Sequence, residues 1–431
     1  MTQKCIPIPL QDTEITHNMY DSPVTIASIF KGKPPVNFLK ERAQQILAAN
    51  PWLAARLEDD EKDGKPCLIH AEDPPLYPFY DHVDIADICT TGTTVHSILA
   101  ETYSMPLSQS LAQIFTKHGF NNLNTDEPLY KIRLCTGSDD RFMLVVSMSH
   151  ILGDGFTIYS IYRMLDRSEP VVSLNPQRIK DFQAVLDMTG GLPGSMWIPK
   201  NGTHPSSNNK LDWLLKSKAM WCTKESREAI GMQNGEEEDI PGKEHPTSGG
   251  LFRVNMDWIE KQKRDFKGND ITPWISTNDI MASWFLTRSK ASMGAIAINS
   301  RNRSPKIGMY HAGNYQLGFL LYPDEYECPS AIRESVSAFS AFTKPDSNAG
   351  PGNSLALISN WTQSYIDLDF GPECHQLIHL PLAPVELAPP TSMDSIMILF
   401  CCGNGGLGAA IRSTNLSNYL DDTALHGPLL G

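Results

Sequence analysis

Ser147-Met148-Ser149-His150-Ile151-Leu152-Gly153-Asp154-Gly155 is the stretch on which the reading of this 431-residue chain turns. It is a His-x-x-x-Asp-Gly sequence placed where a strong strand signal ends. Immediately upstream, Phe142-Met143-Leu144-Val145-Val146 is a short continuous apolar run, the pattern of a buried strand. Before that, Tyr130, Ile132 and Leu134 alternate with Lys131 and Arg133, and the turn-forming cluster Thr136-Gly137-Ser138-Asp139-Asp140 joins the two segments. A hairpin therefore delivers His150 to a strand end. Downstream, Phe156, Ile158, Tyr159, Ile161, Tyr162 and Leu165 recur at helical spacing, which puts His150 at a strand-to-helix junction.

Such a position suits acid-base chemistry. An imidazole with an ordinary pKa of about 6.5, held by a rigid scaffold, can accept a proton near neutral pH. Gly153 and Gly155 supply backbone freedom for a tight exit from the strand. Asp154 lies four residues on and cannot share the strand face, so the spacing does not by itself pair it with His150. A histidine that merely satisfies its hydrogen bonds at a strand end is the competing reading of the same residues.

Composition bounds the rest. The length suggests two or more domains, and 41% hydrophobic with 20% charged residues leaves ample material for their cores. No apolar run reaches the ~18 residues needed to span a bilayer. Met1-Thr2-Gln3-Lys4-Cys5 leads into Pro7 and Pro9, not into a signal-peptide core, so a cytoplasmic location is expected. Nine cysteines with no Cys-x-x-Cys pair argue against a disulfide framework and against a zinc knot, and no metal site is expected. A net charge of -13 disfavours nucleic acid as a partner, because neutralising phosphates needs a basic surface.

Along the chain, residues 37–49 read as a helix capped by Asn37, with Leu39, Ala43, Ile46 and Leu47 on one face, ending at Asn50-Pro51. A short strand is expected over 67–70, and helical patterning over 95–103 and 107–117. Residues 190–250 carry scattered prolines, the acidic run Glu236-Glu237-Glu238-Asp239 and a helical piece over 211–223, the composition of a domain connector. From Leu251 a helix over 258–266 bears Lys261, Lys263 and Arg264, with Lys267 just beyond. Ser276-Thr277-Asn278-Asp279 offers capping chemistry for a helix burying Ile280, Met281, Trp284 and Phe285. Strands are expected over 295–298, 355–361 and 395–402, the last turning at Gly403-Asn404-Gly405-Gly406 into a hairpin over 407–412. The expected division is 1–190, a connector over 191–250, and 251–431.

Taken in order, these segments resemble the BAHD acyltransferases, within the wider superfamily that includes chloramphenicol acetyltransferase, carnitine acyltransferases and peptide-synthetase condensation domains. His150 to Gly155 is similar to the family's His-x-x-x-Asp-Gly, and Pro51 to Leu57 to its Pro-x-Leu-Ala-x-Arg-Leu turn. Ser276 to Trp284 resembles a Ser-x-x-Asp-x-x-x-Ala helix start, with the alanine one place early. Ile298 to Arg303 resembles Val-Asp-x-Arg-x-Arg, and Gly313-Asn314 the Gly-Asn that follows it. Ser359-Asn360-Trp361 and Asp369-Phe370-Gly371 are similar to Ser-x-Trp and Asp-Phe-Gly-Trp-Gly. Asn299 stands where the family usually has Asp, and Pro372-Glu373 replace Trp-Gly.

The resemblance implies an α/β chain of two chloramphenicol-acetyltransferase-like domains, mixed sheets flanked by helices, with an active-site channel at their interface. It implies His150 as catalytic base, and Asp154 turned away from the substrates to pair with an arginine, for which Arg301 is the best match. Gly155, Asp369 and Gly371 become structural supports of the site. Lys261, Lys263, Arg264 and Lys267 become candidates for CoA phosphate contacts, with a solvated helix face as the alternative. Ser276 and Thr277 are candidate oxyanion donors, although helix capping also accounts for them. The implied substrates are acyl-CoA and a small-molecule alcohol or amine, with no permanently bound cofactor and a monomeric enzyme. A carrier-dependent condensation or wax-ester-type enzyme is the alternative. Such enzymes usually carry a second histidine where this chain has Ser149. A non-catalytic binding relative is the third reading.

Overall fold

The computed structural model describes residues 5–11, 14–15, 22–76, 78–103, 108–117, 119–179, 248–302, 306–340, 354–382, 394–420 and 423–429. The connector expected over 191–250 falls outside them as far as residue 247, together with its helical piece and acidic run.

The strands of the first half are β1 (Cys5–Pro9), β2 (Val24–Gly32), β3 (Arg56–Asp59), β4 (Pro66–Ala71), β5 (Tyr80–Asp84), β6 (Tyr130–Thr136) and β7 (Arg141–Met148). Those of the second half are β8 (Ser248–Val254), β9 (Met293–Asn299), β10 (Gln316–Leu321), β11 (Leu355–Asn360), β12 (Cys374–Pro381), β13 (Ser395–Gly403), β14 (Gly406–Ser413) and β15 (Leu425–Pro428). They form a three-stranded sheet β1-β4-β3, a five-stranded sheet β12-β2-β7-β6-β5 and a seven-stranded sheet β10-β9-β11-β13-β14-β8-β15.

The apolar run before His150 is explained by its place in the second of these sheets. β7 lies between β2 and β6, antiparallel to both, and every residue from Phe142 to Met148 is buried. Alternate side chains point to opposite faces of a strand. Phe142, Leu144, Val146 and Met148 therefore enter one core with Leu39, Trp52, Leu57, Ile158 and Tyr162. Met143 and Val145 enter another, which also holds Leu251, Leu380, Phe400 and Cys402. That second cluster joins side chains from both halves of the chain. The seven-stranded sheet has its own core against the helices Met256–Asp265, Thr277–Ser289 and Pro329–Ser340, built on Ile280, Met281, Phe285, Ile358 and Leu399.

β12 leaves the second half and pairs antiparallel with β2, Gln376 opposite Phe30 and Leu380 opposite Ala27, so the five-stranded sheet draws strands from both sides of the expected connector. Two sequence readings change. The first helix runs Val36–Ala49, one residue earlier than expected, and Asn37 lies inside it; Pro35 occupies the cap position and supplies no side-chain cap. Helical patterning over 107–117 yields a single turn, Gln109–Ala112. By contrast the helix Val95–Thr102, the capped helix at Ser276 and the β13–β14 hairpin stand where they are expected. No helix of the described residues is long and apolar enough to cross a membrane.

Candidate active site

The His150 turn is a strand end converted into a helix start. Ser149 N–H donates to the Leu129 carbonyl at 2.8 Å, which ends the ladder, and Leu152 N–H closes a turn on the Ser149 carbonyl at 2.9 Å. Asp154 then caps the helix Gly155–Arg163, its Oδ1 accepting from Thr157 N–H at 2.9 Å. This explains the four-residue spacing: one turn separates the partly exposed imidazole from a carboxylate that serves the helix N-terminus.

Asp154 also meets Arg301. The guanidinium forks onto the carboxylate, Nη1 to Oδ2 at 2.7 Å and Nη2 to Oδ1 at 3.2 Å, with both side chains buried. Tyr315 N–H adds a second donor to Oδ2 at 3.0 Å. Arg301 spends its remaining protons on the His311 carbonyl (2.8 Å), the Gly313 carbonyl (3.0 Å) and the Asn299 Oδ1 (3.2 Å), and lies between the rings of Phe156 and Tyr315. Burial alone would raise the Asp154 carboxyl. The Arg301 charge and the hydrogen bonds outweigh it and hold the group below the usual carboxylate range. Asn299, standing where Asp is usual, gives Arg301 a neutral acceptor. The buried cluster thus contains one carboxylate for one guanidinium among these contacts.

His150 is held from behind by Asn314. Its Nδ1 lies 3.0 Å from Asn314 Oδ1. The orientation of that amide is fixed by its other end, because Nδ2 donates to the His150 carbonyl at 2.8 Å and to Glu14 Oε1 at 3.0 Å. Both partners are pure acceptors, so the nitrogen must face them and the oxygen must face the imidazole. Nδ1 therefore carries the ring proton, and in the neutral ring the lone pair sits on Nε2.

Trp361, at the end of β11, packs over the start of the same helix. Its ring meets Tyr159 edge-on at 5.9 Å, its Nε1 donates to Ser359 Oγ at 3.0 Å, and a Cβ on Gly155 would lie 3.5 Å from that nitrogen. Beneath the helix is a fully buried histidine, His379 of β12. Its Nδ1 lies 2.9 Å from Ser28 Oγ and its Nε2 2.7 Å from Tyr159 Oη, while Ser28 Oγ is 2.6 Å from Tyr162 Oη. Burial pushes the His379 pKa down to about 3.

The other anticipated residues fall elsewhere. Asp369 and Gly371 form a loop tied to the end of the motif helix: Arg167 N–H donates to the Asp369 carbonyl at 3.1 Å, and Phe370 packs on Phe30 and Phe38. Gly371 has φ +100°, a conformation that favours glycine, and lies against the Arg167 guanidinium. The Ser276 hydroxyl accepts from Asp279 N–H at 3.2 Å and donates to Asp279 Oδ2 at 2.8 Å in a capping box, so it serves as the helix cap. Thr277 is the first residue of that helix. Lys261, Arg264 and Lys267 are exposed and Lys263 pairs with Glu260 at 2.8 Å; among the described residues none of the four hydrogen-bonds or ion-pairs with the His150 turn.

Glu14 and Arg178 carry no signal in the sequence. Gly313-Asn314 was visible as a matching dipeptide, but its hydrogen bond to a residue 164 positions away has no local signature. His379 is equally silent, one polar residue in a strand whose partner lies near the other end of the chain.

No family model and no curated relative matches the chain. Solved structures do. TRI101 of F. graminearum, complexed with coenzyme A and deoxynivalenol, is 14% identical, covers 97% of this chain and 98% of its own, and superposes with a TM-score of 0.54. TRI101 of F. sporotrichioides, complexed with coenzyme A and T-2, is 12% identical over the same shares, at 0.53. The first condensation domain of the calcium-dependent antibiotic synthetase is 13% identical, covers 95% of this chain and 91% of its own, at 0.54. At such identities a match establishes architecture only, and by that measure this chain has the two-part chloramphenicol-acetyltransferase-like fold.

Proposed function

We propose that the chain is a CoA-dependent acyltransferase that moves an acyl group from a CoA thioester to a hydroxyl or amine of a small molecule, with His150 as general base. The observation that carries this reading is the Asn314 contact, which leaves the His150 lone pair on Nε2, at the end of β7 in the five-stranded sheet. Nε2 takes the proton from the acceptor O–H or N–H as that atom attacks the thioester carbonyl. The tetrahedral intermediate collapses, the C–S bond breaks, and the proton passes from Nε2 to the departing CoA thiolate. General acid-base assistance of this kind is worth about 10² to 10⁴ in rate.

In this reading Asp154 and Arg301 act through shape. They fasten the turn that carries His150 to the second half of the chain through Gly313 and Tyr315. Trp361 walls the site beside Gly155. Thr277 remains the oxyanion candidate, and the Lys261, Lys263, Arg264 and Lys267 surface the candidate for CoA phosphates. The TRI101 complexes with coenzyme A and with T-2 or deoxynivalenol support a hydroxylated small molecule as acceptor. The condensation-domain match supports the carrier-dependent alternative, against which stands Ser149 before His150. A cytoplasmic monomer is the simplest setting.

The test is thiol release from acetyl-, malonyl- and longer acyl-CoA in the presence of mixed alcohols and amines, wild type against His150→Ala. Acceptor-dependent release that disappears in the variant supports the reading. Equal background in both proteins, with CoA binding measured separately, refutes it in favour of a carrier-dependent enzyme or a binding protein.

A further inference from the structure

Behind Asn314 lies a second buried ion pair that the acyl-transfer reading does not use. Glu14 is fully buried and the Arg178 side chain nearly so, with Arg178 Nε donating to Glu14 Oε2 at 3.0 Å. That oxygen also accepts from Gln11 N–H at 3.0 Å. The other oxygen, Oε1, accepts from Asn314 Nδ2 at 3.0 Å. Arg178 turns its Nη2 to the carbonyls of Ile151 and Leu152, at 3.2 Å each, the two residues that follow His150, and its Nη1 to the Pro176 carbonyl at 2.9 Å. Gly313 has φ +123° and presses on the guanidinium, where a Cβ would come within 3.0 Å.

The pair therefore touches the His150 turn twice, once through its carbonyls and once through Asn314. We infer that Glu14, held by Arg178, is a positioning residue that fixes the Asn314 amide and so sets which nitrogen of His150 carries the proton. The chemistry is that of acceptors facing donors. With Glu14 Oε1 in place, a flipped Asn314 would aim its carbonyl at a carboxylate and at the His150 carbonyl, and its NH₂ at Nδ1. That flip is the one that would move the imidazole proton to Nε2 and abolish its basicity toward an acceptor. Glu14 blocks it. The charge on Arg178 lets a buried carboxylate do this without stranding it. The inference rests on His150 being the base, but its main readout does not.

Two variants in one background isolate the effect. R178M removes the cation. In that background E14Q still offers one carbonyl oxygen to Asn314 Nδ2, whereas E14M offers none and has similar bulk. We expect E14M/R178M to lose kcat by about 10- to 100-fold, the range seen when the outer partner of a metal-bound histidine is removed, with KM for acyl-CoA unchanged. E14Q/R178M should restore most of it at a comparable melting temperature. The readout independent of turnover is the ¹⁵N spectrum of histidine-labelled protein, with the His150 signals assigned by their loss in H150Q. Wild type should show the Nδ1–H form, and E14M/R178M a growing share of Nε2–H. An Nε2–H wild type overturns the inference before any variant is made. So does an E14M/R178M protein that keeps the wild-type tautomer and kcat, or an E14Q/R178M protein that loses both equally. If instead the tautomer follows Glu14 while His150→Ala keeps full thiol release, the positioning role stands and the base assignment falls.

Discussion

His379 should make the stability of this protein fall between pH 7 and pH 5. Its ring is buried among Tyr159, Tyr162 and Tyr365, hydrogen-bonded to Ser28 and Tyr159, and the nearest carboxylate along this chain of contacts is Asp367, bonded to the Tyr365 hydroxyl. In the unfolded chain a histidine titrates near ~6.5, whereas in the folded protein burial lowers the value to about 3. Because the folded value is the lower one, the unfolded chain takes up the proton first. The contribution is complete above ~6.5 and is lost as pH falls toward 3. At pH 5 the unfolded state has gained about 1.5 pH units of proton binding that the native state has not, which at ~1.4 kcal/mol per unit removes about 2 kcal/mol. The assay is urea unfolding followed by tryptophan fluorescence at pH 7 and pH 5, for wild type and for His379→Gln, an uncharged side chain that can still hydrogen-bond. Whatever other groups contribute is common to both proteins, so the wild type should lose about 2 kcal/mol more than the variant. An equal loss in the two would refute the account of His379 as a neutral, solvent-excluded ring.

Two further substitutions test the frame of the site. Arg301→Met leaves the Asp154 carboxylate buried without its cation and should cost about 3 to 5 kcal/mol, while the double variant Asp154→Asn, Arg301→Met should recover most of that, as a double-mutant cycle of thermal unfolding would show. Because the Asp154 carboxyl is held below its usual range, its contribution is present above an unfolded value of ~3.9 and is lost as pH falls through the folded one, so Asp154→Asn should flatten the acid limb of the wild-type stability curve. Ser276→Ala should cost about 0.5 to 2 kcal/mol by removing a helix cap, with kcat for acyl transfer unchanged; a large loss of kcat at an unchanged melting temperature would restore Ser276 as an oxyanion donor.

What could be read from the sequence was local. The run Phe142 to Val146 announces a strand buried on both faces, and the switch to helical spacing after Gly155 places His150 at the junction, because each signal is a periodicity confined to a dozen residues. Arg301 was reachable through a resemblance that supplied the pairing with Asp154, 147 positions away. Glu14 and Arg178 were not reachable, since a buried ion pair between residues 164 apart leaves no pattern in either neighbourhood. Asn37 shows the opposite case: it has the right chemistry for a cap, but Pro35, with φ already near a helical value at -85°, lets the helix begin ahead of it. Ser276 shows the limit of residue type as a guide, for the same hydroxyl suits a helix cap and an oxyanion hole, and only the fold shows its contact with Asp279.

The strand β12 also sets a timetable. Ser28 and His379, which meet across the β2–β12 pair, are 351 residues apart. At a synthesis rate of about 5 to 20 residues per second, roughly 20 to 70 seconds pass on the ribosome before β12, the second partner of β2, exists. Throughout that interval the first half carries an open edge made of Val24 to Phe30, an apolar row ready to pair with any other extended chain. A nascent chain halted anywhere before residue 374 should therefore be a client for chaperones and prone to self-association, and the first half expressed alone should not be a well-behaved monomer.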